Sequence, residues 1–175
     1  GILFSMAASP AATARIRIEE AFYFAGRQTA YAAAGVLVML AAASLDPRQL
    51  RRAAVVIAAI ALPLCLAASL FGAEVKGAQR WIDIGPIGFQ PSEILKPAIV
   101  VVWAWMLGES MRTPSFPGRA VALGLFGLCA AVLLSQPDVG QTALLALVLG
   151  PMLILSGLAL RWVLGGTVLA GVAAW

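Results

Sequence analysis

The run QPSEILKPAIVVVWAWMLGE, Gln90–Glu109, decides the fold. Between Lys96 and Glu109 it offers only 12 uncharged residues, whereas a helix needs roughly 20 apolar residues to cross a bilayer. Starting the helix at Gln90 gives 19 residues up to Gly108, and carries Glu93 and Lys96 into the membrane-embedded part. Ionisable side chains there are costly, face the protein interior or a wet cavity, and mark candidate functional sites. Glu93 and Lys96 stand three apart, so they share a helix face and can pair. Pro91 suits the first helical position. Glu93 then falls in the first turn, where the helix dipole favours a carboxylate and disfavours the Lys96 ammonium. Pairing with Glu93 or with a substrate anion offsets that disadvantage. The ring of Pro97 opposes the carbonyl of Glu93 and leaves it without a helical donor.

The same logic extends to the whole chain. Its 175 residues are 62% hydrophobic and 11% charged, against roughly 45–50% and about 25% in an ordinary soluble domain. With a mean hydropathy of +0.95, the excess apolar surface needs lipid to cover it, which excludes a soluble domain. The intervals between charges then place the helices: Gln28–Leu45 gives 18 residues, Ala53–Ala73 gives 21, Ala120–Pro137 gives 18 and Val139–Leu160 gives 22. Apolar runs at Gly1–Ala14 and Trp162–Trp175 read as truncated spans, and no basic region precedes the first as it would in a signal peptide. The expected fold is an all-α polytopic membrane helical bundle in one partial domain, 1–175. Its approximate spans are 1–9, 28–45, 53–73, 90–108, 120–137, 139–160 and 162–175, with an outer loop at 74–90. The sequence reads as a fragment.

Loops alternate sides. Residues 10–27, 74–96 and the turn at Asp138 share one, and 46–52, 109–119 and Arg161 share the other, each with six Lys and Arg. Setting aside the intramembrane Lys96 and the loop cations Lys76 and Arg80 leaves three against six, which makes the second side cytoplasmic. Pro63 and Pro151 fall inside helical runs and bend them. Ala58, Ala59, Ala61, Gly124 and Gly127 permit close helix approach. Trp103, Trp105 and Trp162 fit either interfacial anchors or, for the first two, the bundle lining. Histidine is absent, which removes the usual general base and commonest metal ligand from this stretch. Cys65 and Cys129 have neither metal-site nor disulfide-framework spacing and read as buried small residues.

Two polar segments remain. EVKGAQRWIDIGPIGFQPSE, Glu74–Glu93, is too rich in charge, Gly, Pro and Trp for a flexible linker, and Gly85–Pro86 marks a turn within it. In SQPDVGQT, residues 135–142, Asp138 followed three later by Gln141 resembles a capping box. Asp138 is then an N-cap, a cavity residue, or both. With little polar padding around it, it lies near the hydrocarbon boundary on the side of Lys76, Arg80 and Glu93. For Glu93 and Lys96, a bridge that only holds the helix start stands against direct substrate contact.

VKGAQRWIDIGPIGFQPSEILKPA and SQPDVGQTALL closely resemble the two signature regions of the SEDS family, the shape, elongation, division and sporulation proteins. KGAxRWIxxG, then QPSExxK, then QPDxG form a far more specific pattern than any one of them. EEAFYFAGRQTAY and LKPAIVVVWAWML resemble the cell-division branch more than the elongation paralogue. The resemblance implies about seven of the family's roughly ten bilayer-spanning helices. It also implies a peptidoglycan glycosyltransferase that polymerises lipid II at the outer face of the cytoplasmic membrane, at the division septum. Glu93 and Lys96 match the family's functionally important pair, Asp138 the acid of QPD, and Arg80 and Trp81 the RW of the preceding loop. Lys76, Gln90, Ser92 and Gln136 complete the candidate substrate-binding or cavity residues. The aspartate regarded as catalytic belongs to a later outer loop and has no match here, so this stretch alone is expected to be inactive. Lys96, Arg80 or Lys76 could stabilise a leaving pyrophosphate. No cofactor is required by any spacing; a divalent cation stays open, with Asp138 as candidate ligand. Implied partners are membrane lipid, a class B penicillin-binding transpeptidase and other division proteins, with no nucleic acid. The alternatives are a lipid II flippase, the elongation paralogue, or a noncatalytic scaffold.

Overall fold

The computed structural model describes residues 23–75, 78–84 and 87–159. The expected spans 1–9 and 162–175 lie outside the described residues. The chain divides into two units, Gly1–Pro47 and Arg48–Trp175. In the first, α1 runs Tyr23–Ala43 and ends as Ser44 donates its backbone N–H to Leu40 O at 3.1 Å. Asp46 precedes a proline, which disfavours helical geometry, and Pro47 opens the next helix.

Helix α2, Pro47–Phe71, has 25 residues and is about 37 Å long at 1.5 Å per residue. It starts ahead of the interval at Ala53 because Arg48, Arg51 and Arg52 are helical; long cationic side chains reach out of the hydrocarbon while their stems stay in it. Its buried residues are small, Ala54, Ala61, Cys65 and Ala68, while Val56, Ile60, Leu70 and Phe71 are exposed. Small residues inward and large apolar ones outward suit helix packing in lipid.

Gly72 closes α2. A Cβ there would overlap Ala68 O and lie 2.8 Å from Trp81 O, so only glycine lets the following sheet approach. The segment expected as an outer loop carries a three-stranded antiparallel meander, β1 Ala73–Val75, β2 Ala78–Ile84 and β3 Ile87–Phe89, in that order. Ala73 pairs with Trp81, Val75 with Ala78, Ile82 with Phe89 and Ile84 with Ile87, with a register shift between Ala73 and Glu74. These strands are a local addition to the expected helical bundle: β1 and β3 have three residues each, and β2, AQRWIDI, lacks a strict alternation of apolar and polar residues, so none reads as a strand from the sequence.

Three further helices follow: α3 Pro91–Arg112, α4 Gly118–Ser135 and α5 Val139–Leu155. Helix α5 stops before Leu160 because Gly157 adopts φ 91°, with Leu158 N donating to Leu153 O at 3.0 Å and Gly157 N to Ile154 O at 2.9 Å. That is a Schellman cap, which glycine enters without steric cost. Helices α3, α4 and α5 pack on one another. Leu95, Ile99, Val102, Trp103 and Met106 form the buried stripe of α3, against Ala122, Cys129 and Leu133 of α4 and Leu145, Leu149 and Leu153 of α5. Ala54, Ala61 and Cys65 of α2 join the same core. Trp103 lines the bundle, its ring 6.1 Å from that of Phe126, and Trp105 lies under the Arg51 guanidinium at 5.6 Å. Cys65 and Cys129 are free and buried. Helices α2, α3 and α4 are long and apolar enough to cross a membrane, as expected of a polytopic membrane protein.

Where α3 and α4 meet, a Cβ on Gly118 would overlap Met106 O. Gly118→Ala should force the helices apart at a cost of about 1–3 kcal/mol and lower the melting midpoint of the detergent-solubilised protein. Gly124→Ala, where a Cβ meets nothing within 4 Å, should leave the midpoint unchanged or raise it, since alanine favours the helix interior over glycine. Equal midpoints for the two variants would contradict this packing.

Candidate functional site

The turn between α4 and α5, the start of α3 and strand β2 meet at one end of the bundle. Helix α4 ends at Ser135 and Pro137 prevents its continuation. Asp138 then caps α5, its Oδ1 accepting from Gln141 N at 3.4 Å, while Thr142 Oγ1 donates to Asp138 O at 3.0 Å. The cap matches the spacing, but the reciprocal half of a capping box does not form. The Gln141 side chain turns instead to Lys96, whose Nζ donates to Gln141 Oε1 at 2.8 Å.

Lys96 also pairs with Glu93, Nζ to Oε1, at 2.8 Å. The two partners differ in environment, since the Lys96 side chain is 16% exposed and that of Glu93 56%. Lys96 therefore points inward and Glu93 approaches it from the wet side. An ammonium has three N–H donors, and these two contacts use two of them.

Arg80 reaches from β2 onto the α4–α5 turn. Its Nε donates to Gln136 O at 3.1 Å and its Nη2 to Pro137 O at 3.3 Å, while Nη1 lies 3.3 Å from Asp138 Oδ2. The last contact is an ion pair without hydrogen-bond alignment. The planar guanidinium fork suits several acceptors at once, and cations are favoured near helix C-terminal carbonyls. Gln136 is buried, and its Nε2 donates to Cys65 O at 2.5 Å, which ties the turn to α2. Gln90 Nε2 donates to the buried Ser92 Oγ at 3.0 Å at the start of α3.

Charges thus alternate from Glu93 through Lys96 and Asp138 to Arg80, and each buried charge has an opposite neighbour or a polar partner. Lys96 and Asp138 do not touch; Gln141 joins them, through its side chain to one and its backbone to the other. Successive strand residues face opposite ways, so Trp81 lies on the far side of β2 from Arg80 and is not drawn into the cluster. Lys76 lies outside the described residues. Among the described residues no three Cys, Asp or Glu side chains converge as a metal site would require, and Asp138 already faces Arg80. Gln141 is the participant that the sequence showed only as a cap. A polar side chain in the first turn of an otherwise apolar helix, near an intramembrane lysine, was its available signal.

A family model described as Cell cycle protein, FTSW_RODA_SPOVE, matches residues 1–175. The chain is 40% identical over 173 residues to a protein of Caulobacter vibrioides named Probable peptidoglycan glycosyltransferase FtsW, covering 98% of this chain and 44% of that one. It is 36% identical over 149 residues to the peptidoglycan glycosyltransferase MrdB of Escherichia coli, covering 85% and 40%. Among solved structures, the rod shape determining protein RodA of Thermus thermophilus is similar at 25% identity and TM-score 0.70, covering 99% of this chain and 58% of that one. A chain from a peptidoglycan synthase complex that coordinates polymerization and crosslinking is similar at 26% identity and TM-score 0.70, covering 99% and 52%. The chain spans less than half the length of these two curated relatives.

If Arg80 and Asp138 act together on the turn, a double-mutant cycle of Arg80→Ala and Asp138→Asn on the melting midpoint should give a coupling of about 1 kcal/mol. Strictly additive losses would contradict the contact.

Proposed function

This chain belongs to the FtsW/RodA/SpoVE family of cell cycle proteins, and from that membership we propose that the full-length protein is a peptidoglycan glycosyltransferase. It polymerises lipid II into glycan strands at the division septum. The observation that carries this reading is the polar chain Glu93–Lys96–Gln141–Asp138–Arg80 at one end of an apolar bundle. Assignment to division is supported by the greater identity and coverage against the Caulobacter FtsW than against the Escherichia MrdB. The opposite end of the bundle carries Arg48, Arg51, Arg52, Arg112 and Arg119, which by the positive-inside rule supports a cytoplasmic position for that end and an outer-face position for the cluster.

In the proposed reaction a sugar hydroxyl of the acceptor attacks the anomeric carbon of the donor. A glycosidic C–O bond forms, the C–O bond to pyrophosphate breaks, and undecaprenyl pyrophosphate leaves with the electron pair. A carboxylate takes the hydroxyl proton; family resemblance gives that role to an aspartate without a counterpart in residues 1–175. Lys96 donates its remaining N–H to the departing pyrophosphate, where charge develops. Glu93 holds the ammonium from the solvent side. Asp138 fixes the start of α5. Arg80, which reaches the α4–α5 turn through Nε, Nη1 and Nη2, acts in this reading as a positioning residue. A class B penicillin-binding transpeptidase is the proposed partner, in keeping with the similar chain in a synthase complex.

Full-length protein reconstituted in vesicles without any gradient should make glycan from lipid II. Lys96→Ala and Asp138→Ala should each slow it by about 100-fold or more while membrane insertion is unchanged. Wild-type rates in both variants would refute the assignment, and lipid II crossing the bilayer with polymerisation blocked would favour a flippase. Exchanging the charges, Glu93→Lys with Lys96→Glu, should remain inactive; recovered activity would show that the pair is only a bridge.

A further inference from the structure

The intramembrane lysine is held by two unlike partners, and the difference between them has a chemical consequence. Glu93 offers a formal charge but is 56% exposed, so water screens it and leaves it free to move. Gln141 offers a neutral carbonyl oxygen at 2.8 Å, on a helix whose first turn is fixed by the Asp138 cap. A neutral acceptor orients an ammonium without cancelling its charge. We propose that Gln141 is a positioning residue that aims the Lys96 ammonium at the phosphate of a lipid-linked pyrophosphate substrate while leaving its positive charge available. The proposal rests on the role given to Lys96 above.

The geometry separates this task from the folding of α5. The cap uses the backbone N–H of Gln141, which any residue except proline retains, and the contact to Lys96 uses its side chain alone. Losing the side chain therefore removes the inner anchor of Lys96 and spares the helix start. The ammonium then has only Glu93 and swings toward solvent. Charged groups around Lys96 among the described residues are Glu93 on its own helix, Asp138 at the start of α5, and Arg80 on β2 beside Asp138. A carboxylate at position 141 would restore an acceptor beside the ammonium and add one more negative charge to the cluster.

Three variants of the full-length protein, assayed for glycan formation from lipid II, test this. Gln141→Leu should lose 10–100-fold in rate, the size expected when a reacting group is displaced by about 1 Å, with an unchanged melting midpoint. Gln141→Glu should recover part of that rate, because it restores an acceptor for the ammonium. Wild-type activity in Gln141→Leu, or a Gln141→Glu variant no faster than Gln141→Leu, would overturn the proposal. Lys96→Ala at wild-type rate would instead overturn the role of Lys96 on which it rests.

Discussion

A charge held within the thickness of a bilayer must have a partner there, and the Lys96 ammonium is the charge around which this end of the molecule is arranged. Helix α3 cannot cross the membrane without including it, because only 12 uncharged residues follow before Glu109. Glu93, one turn earlier, supplies charge from the wet side and Gln141 supplies an acceptor from the protein side. Without the Gln141 acceptor the ammonium stays satisfied only by moving toward Glu93 and solvent, because a cation left unpartnered is costly where water is scarce.

Keeping Gln141 in reach of Lys96 depends on how α5 begins. Asp138 caps that helix, and Arg80 holds both the carboxylate of Asp138 and the two preceding carbonyls. The small sheet thus has a mechanical role: it presents Arg80 to the turn, and glycine at position 72 lets it sit against the end of α2. Gln136 fastens the same turn to α2 through Cys65 O. One turn of chain between α4 and α5 is therefore held from three directions. Such support gives the site fixed geometry where the hydrophobic effect does not press helices together.

The intervals between charges made α3 and its Glu93–Lys96 pair legible, because the energy of burying charge is large enough to dominate every local preference. The same rule misplaced the start of α2, since it treated arginines as boundaries when their stems can lie along the hydrocarbon and their heads outside it. It also overran α5, where a Ser156–Gly157 cap stops the helix before the next charge. Two strands were hidden by their brevity, and β2 by its lack of a strict apolar and polar alternation. For Arg80 the sequence shows a cation and not the carbonyls of Gln136 and Pro137 that it also meets. Gln141 looked like a cap because its spacing from Asp138 is the capping spacing, and only the neighbouring helix reveals that its side chain has another partner.

The proposed role of this site depends on Lys96 being held by Glu93 and Gln141 with one donor left for phosphate. A density map of the full-length protein in lipid nanodiscs with an undecaprenyl pyrophosphate bound tests this most directly. It should show Nζ still within hydrogen-bond distance of both Glu93 Oε1 and Gln141 Oε1, as at 2.8 Å here, and a phosphate oxygen on its third donor. A pyrophosphate bound away from Lys96, or an ammonium turned out of the Gln141 contact, would contradict it.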